Sequence, residues 1–115
     1  MKMSKITTAT AIAFLNGKSC SIGNTKVVVE DNLSKMYLNG TLIGKYDTTT
    51  KWFSITTDNV DNQTNTTMNR LNGILTMAEQ EHIIYADNMG IWYNDTDFKH
   101  TYITNDWFTY RDCRK

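Results

Sequence analysis

The dipeptide Asn39-Gly40 constrains this chain more than any other pair of residues. It stands between two apolar runs, residues 34–38 and 41–46, and both residue types tolerate positive φ. A two-residue turn of the primed type needs positive φ at both central positions, and its twist matches the strands it joins. Residues 34–46 (SKMYLNGTLIGKY) are therefore expected to form a β-hairpin. Alternation along its second strand places Leu42 and Gly44 on one face, Ile43 and Lys45 on the other.

The flanking segments extend this pattern. Residues 19–31 read as another hairpin, with Gly23-Asn24 at the turn and the β-branched run Lys26-Val27-Val28-Val29-Glu30. Asp47-Thr48-Thr49-Thr50 is a turn before the strand Trp52-Phe53-Ser54-Ile55-Thr56. Three or four consecutive antiparallel strands make a meander. Further on, residues 83–87 and 91–94 flank Asn88-Met89-Gly90 as a second hairpin, and residues 102–104 and 107–110 hold short strands. Proline is absent and Thr with Asn makes up about a quarter of the chain. Threonine favours strands and asparagine favours turns, so composition agrees with the pattern.

Two segments carry helical spacing. In residues 6–16 (ITTATAIAFLN), Ala11, Ile12 and Leu15 share a face with Phe14 flanking it, and Asn16-Gly17 is a natural stop. The threonines there leave an edge strand as the alternative. Residues 64–77 place Met68, Leu71, Ile74 and Leu75 on one stripe, with Thr64 or Thr66 as cap. Gly73 costs about 1 kcal/mol relative to alanine in a helix, so it is expected where the helix backbone packs closely on the sheet. The fold class is α+β: a single domain over 1–115, an antiparallel meander of five to seven strands, and one main helix (64–78) packed across it. The charged end, residues 111–115, is expected to fray.

Composition bounds function. At 115 residues and 13.2 kDa the chain suits one domain. Twelve Lys and Arg balance twelve Asp and Glu, which excludes nucleic-acid binding by bulk charge and an acidic mimic of DNA, while a local patch stays open. No run is long and apolar enough for a membrane helix, and threonines interrupt any N-terminal signal segment, so no membrane association is expected. Cys20 and Cys113 have no metal-ligand spacing and read as reduced thiols. His82 and His100 form no ligand motif, no serine sits in a nucleophile elbow, and the loop carboxylates Asp58, Asp61, Asp95 and Asp97 read as turn residues. No catalytic residue, metal or cofactor is expected.

Two constellations remain. The helix start Thr64-Asn65-Thr66-Thr67, with Arg70 one turn in, offers free N–H groups, hydroxyls and a guanidinium that could hold the phosphate of a small nucleotide, with Trp92 stacking on a base. Against this stands a capped helix start in which Arg70 is solvated or paired with Asp58 or Asp61, and that reading is preferred. The second constellation is aromatic. Strand alternation sends Trp52 and Phe53 to opposite faces, and likewise Trp92 and Tyr93, so aromatics reach the face away from the core. Trp52, Tyr93, Trp107 and Tyr110 are candidate contacts for a partner protein. Residues 102–110 could alternatively seal a homodimer.

The residues Leu38-Asn39-Gly40-Thr41-Leu42-Ile43-Gly44-Lys45-Tyr46, followed by Thr64-Asn65-Thr66-Thr67-Met68-Asn69-Arg70-Leu71-Asn72, resemble small uncharacterised proteins of tailed bacteriophages. Those carry a similar hairpin, a T-x-T-T-x-x-R-L-N helix and then a hairpin like Ile91-Trp92-Tyr93-Asn94. The match spans about residues 36–94 and departs from the pattern at Asn62, where a tryptophan would stand. The resemblance implies a phage origin. The expected function is a non-catalytic accessory protein that binds and inhibits a host protein, a component of antiviral defence, in the cytoplasm of the infected bacterium. A sponge for a phosphate-containing nucleotide signal and a single-stranded nucleic-acid binder are the alternatives.

Overall fold

The computed structural model describes residues 4–56, 65–80, 83–86, 92–96, 99–102 and 107–114, and the strands between 83 and 102 enter through their backbone pairing. In chain order the elements are α1 (Lys5–Leu15), β1 (Cys20–Ile22), β2 (Thr25–Glu30), β3 (Leu33–Leu38), β4 (Thr41–Asp47), β5 (Trp52–Thr56), α2 (Asn65–Met77), β6 (Ile83–Ala86), β7 (Trp92–Thr96), β8 (Lys99–Tyr102) and β9 (Trp107–Arg111). The α+β meander is present. Strands β1 to β5 follow one another antiparallel, and β9 returns to pair with β5, giving a six-stranded sheet ordered β1-β2-β3-β4-β5-β9. Strands β6 to β8 form a separate three-stranded sheet, where a continuation of the same sheet was expected.

The Asn39-Gly40 turn adopts the expected conformation, with φ of 51° and 82°. Simple alternation fails in the strand that follows. Met36 pairs with Gly44 but Tyr37 pairs with Leu42, which leaves Ile43 as the extra residue of a β-bulge. Ile43 and Gly44 are consequently both buried, while Leu42 and Lys45 lie toward the other face. Gly44 is where the helices close on the sheet. A Cβ there would lie 3.2 Å from Phe14 Cζ on α1 and 3.4 Å from Ile74 Cδ1 on α2.

Helix α1 forms because Ser4 caps it, its Oγ accepting from the Thr7 amide at 3.1 Å. Its buried stripe is Thr7, Thr10, Ala11, Phe14 and Leu15, at i, i+3, i+4, i+7 and i+8. Ile12 is 40 % exposed, contrary to the face expected for it, because the two threonines complete the inward stripe in its place. Thr10 satisfies its buried hydroxyl by donating to the Ile6 carbonyl at 2.7 Å. Helix α2 buries Leu71, Ile74 and Leu75 as the spacing predicts. Gly73 faces α1 and not the sheet, since a Cβ there would meet Thr7 Cγ2 at 2.3 Å. Close helix–helix approach, which glycine allows by lacking a side chain, is the reason for the residue.

The core lies between the helices and the inner face of the large sheet. Phe14, Tyr46, Phe53 and Tyr110 form a chain of rings with successive centroids 5.9, 6.4 and 5.5 Å apart. The C-terminal segment does not fray. The Asp112 amide donates to the Lys51 carbonyl at 2.7 Å and the Cys113 amide to the Ala78 carbonyl at 3.0 Å. Arg114 pairs with Asp112 at 2.8 Å and also donates to Asn16 Oδ1 at 2.9 Å and to the Leu15 carbonyl, so it caps the open C-terminal end of α1. Cys20 and Cys113 are free thiols.

Candidate functional site

Arg70 stands on α2 one turn from the helix start, and its surroundings decide what that start can do. The side chain is only 7 % exposed, so the solvated alternative does not hold. Its Nε donates to Thr25 Oγ1 at 2.9 Å, one terminal nitrogen to Thr7 Oγ1, and the other reaches Asn24 Oδ1 at 3.5 Å. The guanidinium therefore ties α2 to the first turns of α1 and to the β1–β2 turn. Burial pushes its pKa down, and among the described residues no carboxylate pairs with it. Asp58 and Asp61, the expected ion-pair partners, lie outside the described residues. Thr67 is fully buried and Thr66 half-buried, while Thr64 and the Trp92 side chain lie outside the described residues. These placements turn Arg70 into the interior, toward hydroxyls of the fold itself.

A second polar cluster is structural. Tyr46 is buried and donates its hydroxyl to Asp112 Oδ2 at 2.8 Å. Burial, then the bond to Asp112 and its charge, push the Tyr46 pKa up to about 12, with Arg114 opposing. Burial alone would raise the Asp112 pKa as well, but donors from Arg114 and Tyr46 bring it below the usual carboxylate range. Because the folded-state pKa of Tyr46 exceeds its unfolded value near 10, its contribution is complete below pH 10 and is lost as pH climbs toward 12. The wild type should lose on the order of 2 kcal/mol across that window from this residue. Tyr46→Phe should show a correspondingly shallower alkaline fall in melting temperature; equal slopes would refute the role of its hydroxyl.

The outer face of the large sheet is built differently. Register places three rows on it, opposite both helices. The middle row is Val28, Lys35, Lys45, Ser54 and Thr109, one from each successive strand. Ser54 and Thr109 confirm the row by a hydroxyl–hydroxyl bond of 2.9 Å. To one side lie Lys26, Tyr37, Leu42 and Trp107, and to the other Glu30, Leu33, Asp47, Trp52 and Arg111. Trp52 is 47 % exposed; among the described residues only Ile12 on α1 is a comparably exposed large apolar side chain. The Lys45 ammonium sits 4.2 Å from the Trp107 ring centroid.

Of the candidate contacts, Trp52 and Trp107 share this outer face, with Trp107 half-buried. Tyr110 does not: it is 7 % exposed and stacks on Phe53 on the inner side. The side chain of Tyr93 lies outside the described residues. Lys26, Lys35, Tyr37 and Arg111 were not singled out from sequence, although alternation in KVVVE, SKMYL and WFTYR sends each to the side opposite the buried residues, whereas Lys45 reaches this face through the bulge at Ile43. Among the described residues no three His, Cys, Asp or Glu side chains gather to hold a metal, and no helix is long and apolar enough to cross a membrane.

The family model described as Kyanoviridae Gp96 protein matches residues 3–112. The chain belongs to this Gp96 family of cyanophage proteins. Its match spans both helices and the nine strands found among the described residues. No curated protein and no solved structure matches the chain.

Proposed function

We propose that this Gp96-family protein is a non-catalytic accessory factor that acts by binding a component of the infected host, within its cytoplasm, and so inhibiting antiviral defence. The observation that carries the reading is Trp52, a large aromatic left half in solvent on a sheet face that neither helix covers. Tryptophan is strongly enriched among residues that dominate binding energies. Family membership supports the phage setting. The alternative of a phosphate-binding helix start receives no such support, because the donors of Arg70 are directed at Thr7, Thr25 and Asn24.

Affinity capture from infected-cell lysate tests the reading. The wild-type protein should retain a host component at stoichiometric yield, and the Trp52→Ala, Trp107→Ala double variant should lose most of it. Capture that is absent from the wild type, or identical in the two proteins, would overturn the proposal.

A further inference from the structure

The balance of twelve basic against twelve acidic residues conceals a separation along the chain. Residues 1–56 hold seven Lys or Arg against three Asp or Glu, whereas residues 57–106 hold two against eight. Three of those seven, Lys26, Lys35 and Lys45, lie on the outer face of the six-stranded sheet, where Arg111 of β9 joins them. Lys26 and Arg111 are exposed, and Lys35 and Lys45 half-buried, on a surface about 19 Å wide from β2 to β9 at ~4.8 Å per strand. Of the two acids on that face, Asp47 is engaged locally, its Oδ1 accepting from Asn32 and from the Thr49 and Thr50 amides. Glu30 is the other.

Lys35 and Lys45 stand directly opposite each other in the β3–β4 ladder. Like charges in that position oppose folding, so the pair is not there for stability. An anionic ligand would relieve the repulsion. Aromatic rings stand among the cations: Tyr37 and Trp107 toward one end of the strands, Trp52 toward the other. Cations that track a phosphate backbone, interleaved with rings on which bases stack, are the two requirements of a single-strand platform. A duplex keeps its bases stacked on each other and would use the cations only.

We propose that the outer face of the six-stranded sheet binds single-stranded nucleic acid, with Lys26, Lys35, Lys45 and Arg111 on phosphates and Trp52, Tyr37 and Trp107 stacking on bases. The inference rests on the reading of this face as the binding surface, and it names the chemistry of the ligand. Fluorescence anisotropy with labelled oligo-dT and oligo-U of about 12 nucleotides tests it. Binding should be saturable, tighter than to a duplex of equal length, and should weaken with salt at about 0.7 in log–log slope per phosphate contact. Trp52→Ala should weaken it about tenfold or more. Lys35→Glu should weaken binding and flatten the salt slope while raising the melting temperature, because it converts a repulsive pair into an attractive one.

Several outcomes would overturn the proposal. These are no saturable binding at low salt, equal affinity for duplex and single strand, or affinity unchanged in both variants. Tighter binding of poly-glutamate would assign the face to an acidic protein segment, and a dimer that shields Trp52 in the absence of oligonucleotide would assign it to a second copy. If oligonucleotides fail to bind but the tryptophan variants still abolish host capture, the ligand class is wrong and the face remains the binding surface. If capture also survives, both fall.

Discussion

Arg70→Ala lowers the stability of the folded protein by about 2–4 kcal/mol, the largest loss expected from any single truncation at the helix junction. Three terms set that figure. Truncation opens a cavity where the buried side chain joined α2 to α1 and to the β1–β2 turn. It also removes charge-assisted bonds to Thr25 and Thr7, each worth roughly 1.5–3 kcal/mol. Opposing these is relief of the desolvated charge, whose burden shows in the downward push that burial exerts on the Arg70 pKa. The hydroxyls left behind are partly served already, since Ser4 donates to Thr7 Oγ1 and Thr25 donates to Asn24. Arg70→Met should lose less than the alanine variant, because it keeps most of the volume and discards the charge. Urea denaturation of the three proteins measures the series. Changes within about 0.5 kcal/mol for Arg70→Ala would mean that the side chain is not the clamp described.

Gly73→Ala is expected to destabilise, against the direction of helix propensity. Alanine gains about 1 kcal/mol over glycine in an unobstructed helix. Here the new Cβ would stand 2.3 Å from Thr7 Cγ2 and 3.6 Å from the Thr7 carbonyl oxygen. Thr7 cannot easily rotate away, because its hydroxyl accepts from both Ser4 and Arg70 and the residue is buried. Overpacking of this kind costs about 1–3 kcal/mol, which outweighs the propensity gain. Thr7→Ser supplies the control. It deletes Cγ2 and keeps the hydroxyl, so in that background Gly73→Ala should become neutral or stabilising. A double-mutant cycle by thermal melting reads the coupling, and additive effects would show that the contact does not limit the approach of the helices.

The sequence disclosed elements wherever a local signal coincided with the tertiary demand. Asn39-Gly40 formed its turn because both residues accept positive φ, and α2 formed on the Leu71, Ile74 and Leu75 stripe that the sheet then buried. Elsewhere long-range packing set the outcome. The bulge at Ile43 turns two adjacent residues inward, and nothing in LIGKY distinguishes that arrangement from plain alternation. Ile12 is outside because Thr7 and Thr10 are acceptable inside once their hydroxyls bond along the helix and to Arg70. Arg114 in the tail is fixed by the end of α1, some hundred residues away in sequence, and Asp112 by Lys51 and Tyr46, which local charge density could not reveal.

The candidate site was legible in its aromatic half only. Trp52 and Trp107 emerge from alternation, but Tyr110 has the opposite parity to Trp107 and falls inside. The basic half was hidden by the zero net charge. Lys26, Lys35 and Lys45 come from three strands, and only their register brings them onto one surface. Arg70 had three possible settings in the sequence; its interior one depends on α1 crossing α2 beside the β1–β2 turn.

The outer face of the six-stranded sheet, and not the helical side, is proposed as the place where this Gp96-family protein engages its target. Hydroxyl-radical footprinting tests it most directly, comparing the purified protein with the same protein in infected-cell lysate. Labelling should be lost at Trp52, Trp107 and Tyr37 in the lysate, with Ile12 on the exposed side of α1 unchanged. Protection of Ile12 with full labelling of Trp52 would contradict it and move the binding surface to the opposite side of the molecule.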